Sequence, residues 1–215
     1  MCMATKSAVK NAVSEDISTE LSHFKFHLRD GLLVWQLNPE FTGIVGLNFS
    51  THRPDGLVGL NPVVSIACRR IEEAIVELSD GAERKPLPSL SSALGYLTPE
   101  LRFLEWLFEP SAPKSDRIPE SQRIAKAIEL YGITFLKEHA SIEVIARCLE
   151  EGKYSYNERA VYHLPVAYWL LGEKSKAGAY IQQQLSDLKD RSDVAATQYR
   201  RFGDNFLSRH RRAAI

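Results

Sequence analysis

The stretch FKFHLRDGLLVWQLNPEFTGIVGLNFSTH, Phe24–His52, decides the fold. Its apolar residues come in short blocks cut by Asp30-Gly31, Asn38-Pro39 and Thr42-Gly43. Phe24, Phe26 and Leu28 alternate with His23, Lys25, His27 and Arg29, the period of a strand with one wet face. Asp-Gly is a strong hairpin signal, so Leu32–Leu37 is read as the returning strand. After a proline-containing turn over Asn38–Thr42, Gly43–Thr51 reads as a third. Three strands joined by short connections make an antiparallel meander.

On the N-terminal side, Val9, Val13, Ile17 and Leu21 recur every four residues, which predicts an amphipathic helix over Lys6–Ser22. On the other side, Arg53-Pro54-Asp55-Gly56 is a turn. From Asn61 the period changes. Asn61 as N-cap, Pro62 at the first helical position and the stripe Val64, Ala67, Ile71, Ile75, Leu78 predict a helix to Leu78. Gly81–Ser92, rich in proline and serine, reads as a mobile loop. Ala93–Leu97 and the aromatic-rich Phe103–Phe108 read as two more strands.

Beyond a linker over Glu109–Arg117 the chain is helical. Ile124, Ala127, Ile128 and Tyr131 mark a helix closed by Gly132. Ser141 caps another that ends at Gly152. Leu164, Tyr168 and Leu171 lie on a third, stopped by Gly172. Ala177, Ile181, Leu185 and Leu188 continue a fourth, and Ala195, Tyr199, Phe202 and Phe206 mark the last. The turn Tyr168–Gly172 followed by Ala177 is similar to one tetratricopeptide-type hairpin. Strands first and helices afterwards define an α+β fold. The expectation is an antiparallel sheet of about five strands packed by helices over residues 1–110. A helical region with that one hairpin follows over 111–215 and packs on it. The Asn61 helix is expected to lie on the sheet, and the helices after Arg117 to form an appendage.

Charge excludes some functions. The 215 residues carry 27 Lys and Arg against 27 Asp and Glu, so no global field recruits nucleic acid or anionic lipid. Cys2, Cys68 and Cys148 are too few and too widely spaced for a disulfide framework or a zinc site. They read as thiols of a reducing cytosol. No signal-peptide pattern and no run of roughly 20 apolar residues is seen, so the expected location is cytoplasmic and no membrane partner is expected.

The search for chemistry is mostly negative. GxSxG, HExxH, a P-loop and GxGxxG are all absent. No cofactor, no metal and no catalytic residue is assigned. His23 and His27, four apart on a strand, would hold their side chains roughly 13 Å from each other, too far for a shared metal. His52, Arg53 and Asp55 share one turn, and a His–Asp pair could do acid–base work, but turns favour such residues for backbone reasons. Two functional alternatives stay open. One is an enzyme with a pocket between sheet and helices, using His52, Asp55 or His139. The other is a nucleic-acid-binding regulator using Arg200, Arg201, Arg209, Arg211 and Arg212, which alternate with Tyr199, Phe202 and Phe206. Helix-core spacing of those aromatics and the helix dipole account for the same pattern.

Trp35, Gly46-Leu47-Asn48-Phe49, Leu94-Gly95-Tyr96, Trp106 and Tyr131-Gly132-Ile133-Thr134-Phe135-Leu136 carry a resemblance over residues 24–150. In their order and spacing the chain resembles small bacterial proteins of a domain-of-unknown-function type. Those have an N-terminal helix, an antiparallel sheet and trailing helices, and some of them are immunity proteins of polymorphic toxins. The resemblance implies binding to a protein, a toxin or other effector, without catalysis. It assigns no functional residue. The leading expectation is thus a non-enzymatic protein-binding protein.

Overall fold

The computed structural model describes residues 5–29, 31–79, 88–154 and 157–212. The elements are helix α1 (Lys6–Glu20), strands β1 (His27–Arg29), β2 (Leu32–Gln36), β3 (Phe41–Ser50) and β4 (Val58–Cys68), helix α2 (Arg69–Leu78), and strands β5 (Leu90–Ala93) and β6 (Trp106–Phe108). Helices α3 (Lys114–Ala127), α4 (Ile133–Glu138), α5 (Ile142–Glu150), α6 (Asn157–Leu170), α7 (Lys174–Asp187) and α8 (Val194–Arg212) follow. The fold is α+β with an antiparallel sheet, as the sequence predicts. Strand order is β1-β2-β3-β4-β5, and β6 pairs with β4.

The meander forms with small shifts. Arg29 faces Leu32 across a two-residue turn in which Gly31 takes φ +78°, the left-handed conformation that favours glycine. Asp30 lies outside the described residues. Leu33 pairs with Val45, and both are fully buried. The first strand is shorter than the alternation suggested. Ser22–Phe24 is a 3-10 turn, and Lys25 at φ +61° redirects the chain before His27. His23 and His27 therefore do not share a strand, and both are exposed.

The predicted helix start at Asn61-Pro62 is wrong. Val58–Cys68 is a strand, and the helix begins only at Arg69. Buried residues occur in runs along β4, Val58 to Leu60 and Val64 to Ile66. A strand covered on both faces loses its alternation and imitates a helix segment. Pro62 is accommodated because the pairing with β6 covers Val58, Gly59 and Leu60 and ends before it. At Asn61 a side-chain amide takes over, donating to the Leu104 carbonyl oxygen at 2.6 Å.

Later elements need three further corrections. Strand β5 occupies Leu90–Ala93, taking the last three residues of the expected loop and the first of the expected strand, and Leu94–Tyr96, the middle of that expected strand, is a 3-10 turn. Residues 80–87 of that loop lie outside the described ones. Only Trp106–Phe108 of the expected Phe103–Phe108 strand is paired. The helix does not close at Gly132: Ile128–Gly132 is a π turn with α-helical dihedrals at both junctions, so α3 runs through it into α4. A Cβ on Gly132 would stand 3.2 Å from Val64 Cγ2, so the bare backbone permits close approach to β4.

The chain divides into two compact units: residues 1–66 with 91–139, and 67–90 with 140–215. In the first, Leu136 of α4 covers Gly43 of β3. The helix through the π turn therefore belongs with the sheet instead of forming part of an appendage. Helix α1 lies beside α3, joined by Arg117 Nε to Asp16 Oδ2 at 2.8 Å and by Gln122 to Glu20 at 2.9 Å. In the second unit α2 packs with α6 and α8. Its interior is aromatic: Phe202, fully buried, meets Tyr162, Tyr199 and Phe206 with ring centroids 4.9 to 6.3 Å apart. Ala196, not Ala195, begins the buried stripe of α8.

Ser121 on α3 is fully buried, and its hydroxyl has no hydrogen-bond partner among the described residues. An unsatisfied buried hydroxyl costs free energy that a methyl group does not. Ser121→Ala is expected to stabilise the protein by about 1 kcal/mol, read as a higher urea midpoint at unchanged slope. A lower midpoint would show that the hydroxyl is satisfied.

Candidate functional site

The chain between Gly95 and Phe108 is irregular yet tightly specified. Leu94 is fully buried and anchors its start. The Thr98 hydroxyl donates to the Gly95 carbonyl oxygen at 2.9 Å, and the Leu101 N–H donates to the Thr98 carbonyl oxygen at 3.1 Å, closing a turn. Leu101 takes φ +48°, a strained value for a branched residue. The Arg102 N–H returns to the Gly95 carbonyl oxygen at 3.3 Å. Asn61 holds Leu104, and the Arg53 guanidinium bridges Glu105 and Asp55. Strand β6 then locks the segment to β4.

This scaffold presents apolar side chains outward. Among the described residues eight large apolar side chains are exposed, and four of them fall within residues 96–107: Tyr96 (51%), Leu101 (71%), Phe103 (58%) and Leu107 (46%). Scattered exposed apolar residues are ordinary, whereas a concentration on one ordered segment marks an interaction surface. The sequence by itself places Tyr96, Phe103 and Leu107 on strands and Leu101 on none. The available signal was the run Leu101–Phe108, where large apolar residues adjoin Glu100, Arg102 and Glu105 without a clean period.

A cleft of about 420 Å³ adjoins this segment through Leu107. Ala8, Val9 and Ala12 of α1, Phe108, Pro110 and Ala112 supply its apolar lining, and Glu109, Asp116, Arg117 and Glu120 its charges.

The residues of the enzymatic alternative are each engaged locally. The Arg53 guanidinium bonds Asp55 and, with the Leu57 N–H, holds that carboxyl below the usual aspartate range. His52 is exposed in the same turn. The His139 Nδ1 lies 2.8 Å from the Phe135 carbonyl oxygen, and its ring stacks on Phe135 at 4.3 Å. None of the three lines the cleft.

Of the five C-terminal arginines, Arg200 donates to the carbonyl oxygens of Leu188, at 2.6 Å, and Arg191, past the C-terminus of α7. Arg209 pairs with Glu77 at 2.8 Å, drawing that carboxyl below its usual range. Arg201 is exposed on α8. The side chains of Arg211 and Arg212 lie outside the described residues.

Two polar clusters that the sequence reading missed occupy the second unit. The Tyr168 hydroxyl donates to Glu150 Oε1 at 2.6 Å, and Lys176 bonds the same oxygen with its ammonium 4.1 Å from the Tyr168 ring centroid. Burial first, and then the bond to Glu150, pushes the phenol up to about 12. The second cluster is deeper. His163 Nε2 lies 2.9 Å from Glu72 Oε1, the Ser89 hydroxyl donates to that oxygen at 3.3 Å, and the Cys68 N–H donates to Ser89 Oγ at 3.1 Å. Serine, histidine and glutamate invite comparison with a hydrolase triad. Here the carboxylate, not the imidazole, occupies the centre, and His163 and Glu72 are only 3% and 7% exposed. A nucleophile needs its base on the hydroxyl; this arrangement ties α2, the start of β5 and α6 together.

Cys68 ends β4, inside the span expected to be helix, and Cys148 lies on α5; both are buried and neither is in a disulfide. Burial pushes the Cys148 thiol up. Among the described residues no group of three His, Cys, Asp or Glu could hold a metal ion, and no helix is long and apolar enough to cross a membrane. Compared with family models, curated proteins and solved structures, the chain has no match.

Proposed function

We propose that the chain is a protein-binding protein that acts without chemistry of its own and presents residues 96–107 to its partner. The observation that carries this reading is the exposure of Tyr96, Leu101, Phe103 and Leu107 on a segment ordered by Gly95, Thr98 and Asn61. Pre-ordering removes much of the entropy cost of binding, and central aromatic anchors carry most of the energy of protein interfaces. In the narrower form that the resemblance suggests, the protein is bacterial, and the partner is a toxin or other effector that it neutralises. Buried cysteines outside any disulfide, Cys68 and Cys148, fit a reducing cytosol.

The test is complex formation with the product of an adjacent gene, followed by gel filtration, and protection of cells from that product. Phe103→Asp is expected to weaken the complex about 30-fold or more and to abolish protection, with thermal unfolding unchanged. Undiminished binding by Phe103→Asp and Leu101→Asp would remove the segment from the interface. Absence of any complex and any protection would sink the narrower form.

A further inference from the structure

We propose that the cleft between α1, β6 and the first turns of α3 receives a basic segment of the protein partner that carries an aliphatic anchor; the assignment rests on the protein-binding reading above. The cleft exists because side chains are short where helix and strand meet. Ala8 and Ala12 stand one turn apart on α1, and Ala112 is the third small residue of the lining, so the surface recedes around Val9, Leu107 and Phe108. Its volume of about 420 Å³ leaves room for the aliphatic side chains of a docking segment. The walls are set. Helices α1 and α3 are bridged by Arg117 to Asp16, both about one-fifth exposed, and by Gln122 to Glu20.

Charge selects the occupant. Four charged residues line the cleft: Glu109, Asp116, Glu120 and Arg117. The cation is neutralised by Asp16, which lies outside the lining. Glu120 is shared with Arg123, whose side chain is 75% exposed and free to be displaced by a better-placed cation. Glu109 and Asp116 are exposed carboxylates at the mouth. An aliphatic side chain on the floor therefore places lysines or arginines of the same segment against an acidic rim. An acidic segment meets repulsion there. Leu107 belongs both to the cleft and to the exposed segment, which makes one continuous surface of the two.

The probes are a fluorescein-labelled amphipathic peptide of leucine and lysine, its leucine–glutamate counterpart, and oligolysine, titrated into the full chain by fluorescence anisotropy. The leucine–lysine peptide is expected to bind, more weakly as salt rises, and at least about tenfold more tightly than either control. Ala12→Trp fills the cleft and is expected to remove that preference. Ala8→Trp, at an exposed position, serves the same purpose should the first variant unfold. Glu109→Gln with Asp116→Asn is expected to flatten the salt dependence. Equal binding of the glutamate peptide, or unaltered binding by the filled variants, overturns the proposal. So does a concentration-dependent dimer abolished by Ala8→Trp, which would make a second copy the occupant. Peptide binding that persists while no partner complex forms counts against the proposed function alone. A partner complex indifferent to Ala8→Trp counts against the cleft alone.

Discussion

Replacing His163 with alanine is expected to lower the free energy of unfolding by about 3–5 kcal/mol, the range for breaking one side of a buried charged pair. The imidazole lies between two acceptors, the Arg159 carbonyl oxygen at 2.9 Å and Glu72 Oε1 at 2.9 Å. A carbonyl oxygen can only accept, so Nδ1 carries a hydrogen. Nε2 then faces Glu72 Oε1, and the two side chains are buried together as a hydrogen-bonded pair. Alanine removes the imidazole and leaves the Glu72 carboxyl, 7% exposed, to be desolvated without it. A matched replacement isolates the cause. Glu72→Leu together with His163→Leu removes both polar groups and is expected to recover most of the loss. Urea unfolding followed by circular dichroism measures both variants against the parent protein. A double variant no more stable than His163→Ala would show that packing of the ring, not the polar pair, sets the cost.

Gly95→Ala is expected to cost about 1–3 kcal/mol by overpacking and to abolish partner binding, although it alters no side chain of the proposed interface. A Cβ at this position would fall well inside van der Waals distance of the Arg102 carbonyl oxygen and 2.8 Å from the Leu104 nitrogen. Both obstacles are backbone, so relief requires opening the turn that presents Leu101 and Phe103. Gly59→Ala is the internal control. Its Cβ would meet the carboxylate end of Glu105, a flexible side chain that can swing aside, and a smaller loss is expected there. Amide hydrogen exchange over residues 98–105 should accelerate more in Gly95→Ala than in Gly59→Ala. Retained binding by Gly95→Ala would mean that the ordered form of the segment is not the form that binds.

Both predictions concern groups whose importance was hard to read from the chain. Nothing in the local sequence singles out Glu72 or His163. They are 91 residues apart, and only the packing of α2 with α6 brings them together. Gly95 was read within a strand, where a glycine is mere punctuation. Its role follows from the return of the chain at Arg102, a contact seven residues away that no local period encodes. Conversely, His52 and Asp55 stood out because they are adjacent in a turn. The structure gives that adjacency an ordinary cause, with Arg53 bridging Asp55 and Glu105.

By itself the sequence determined the α+β class, the hairpin at Gly31, the meander β1-β2-β3, α1 and the order of the C-terminal helices. Each of these is set by interactions within a few residues: a left-handed glycine, a serine cap at Ser141, an apolar stripe repeating every turn. The tertiary structure alone decided the extent of β4, the passage of α3 through a π turn into α4, the exposure of residues 96–107 and the burial of Glu72 with His163. Those outcomes depend on what covers a residue from elsewhere in the chain. Val64 reads as helix or strand until its neighbours are known, and Phe103 reads as a strand residue until its side chain is found more than half exposed.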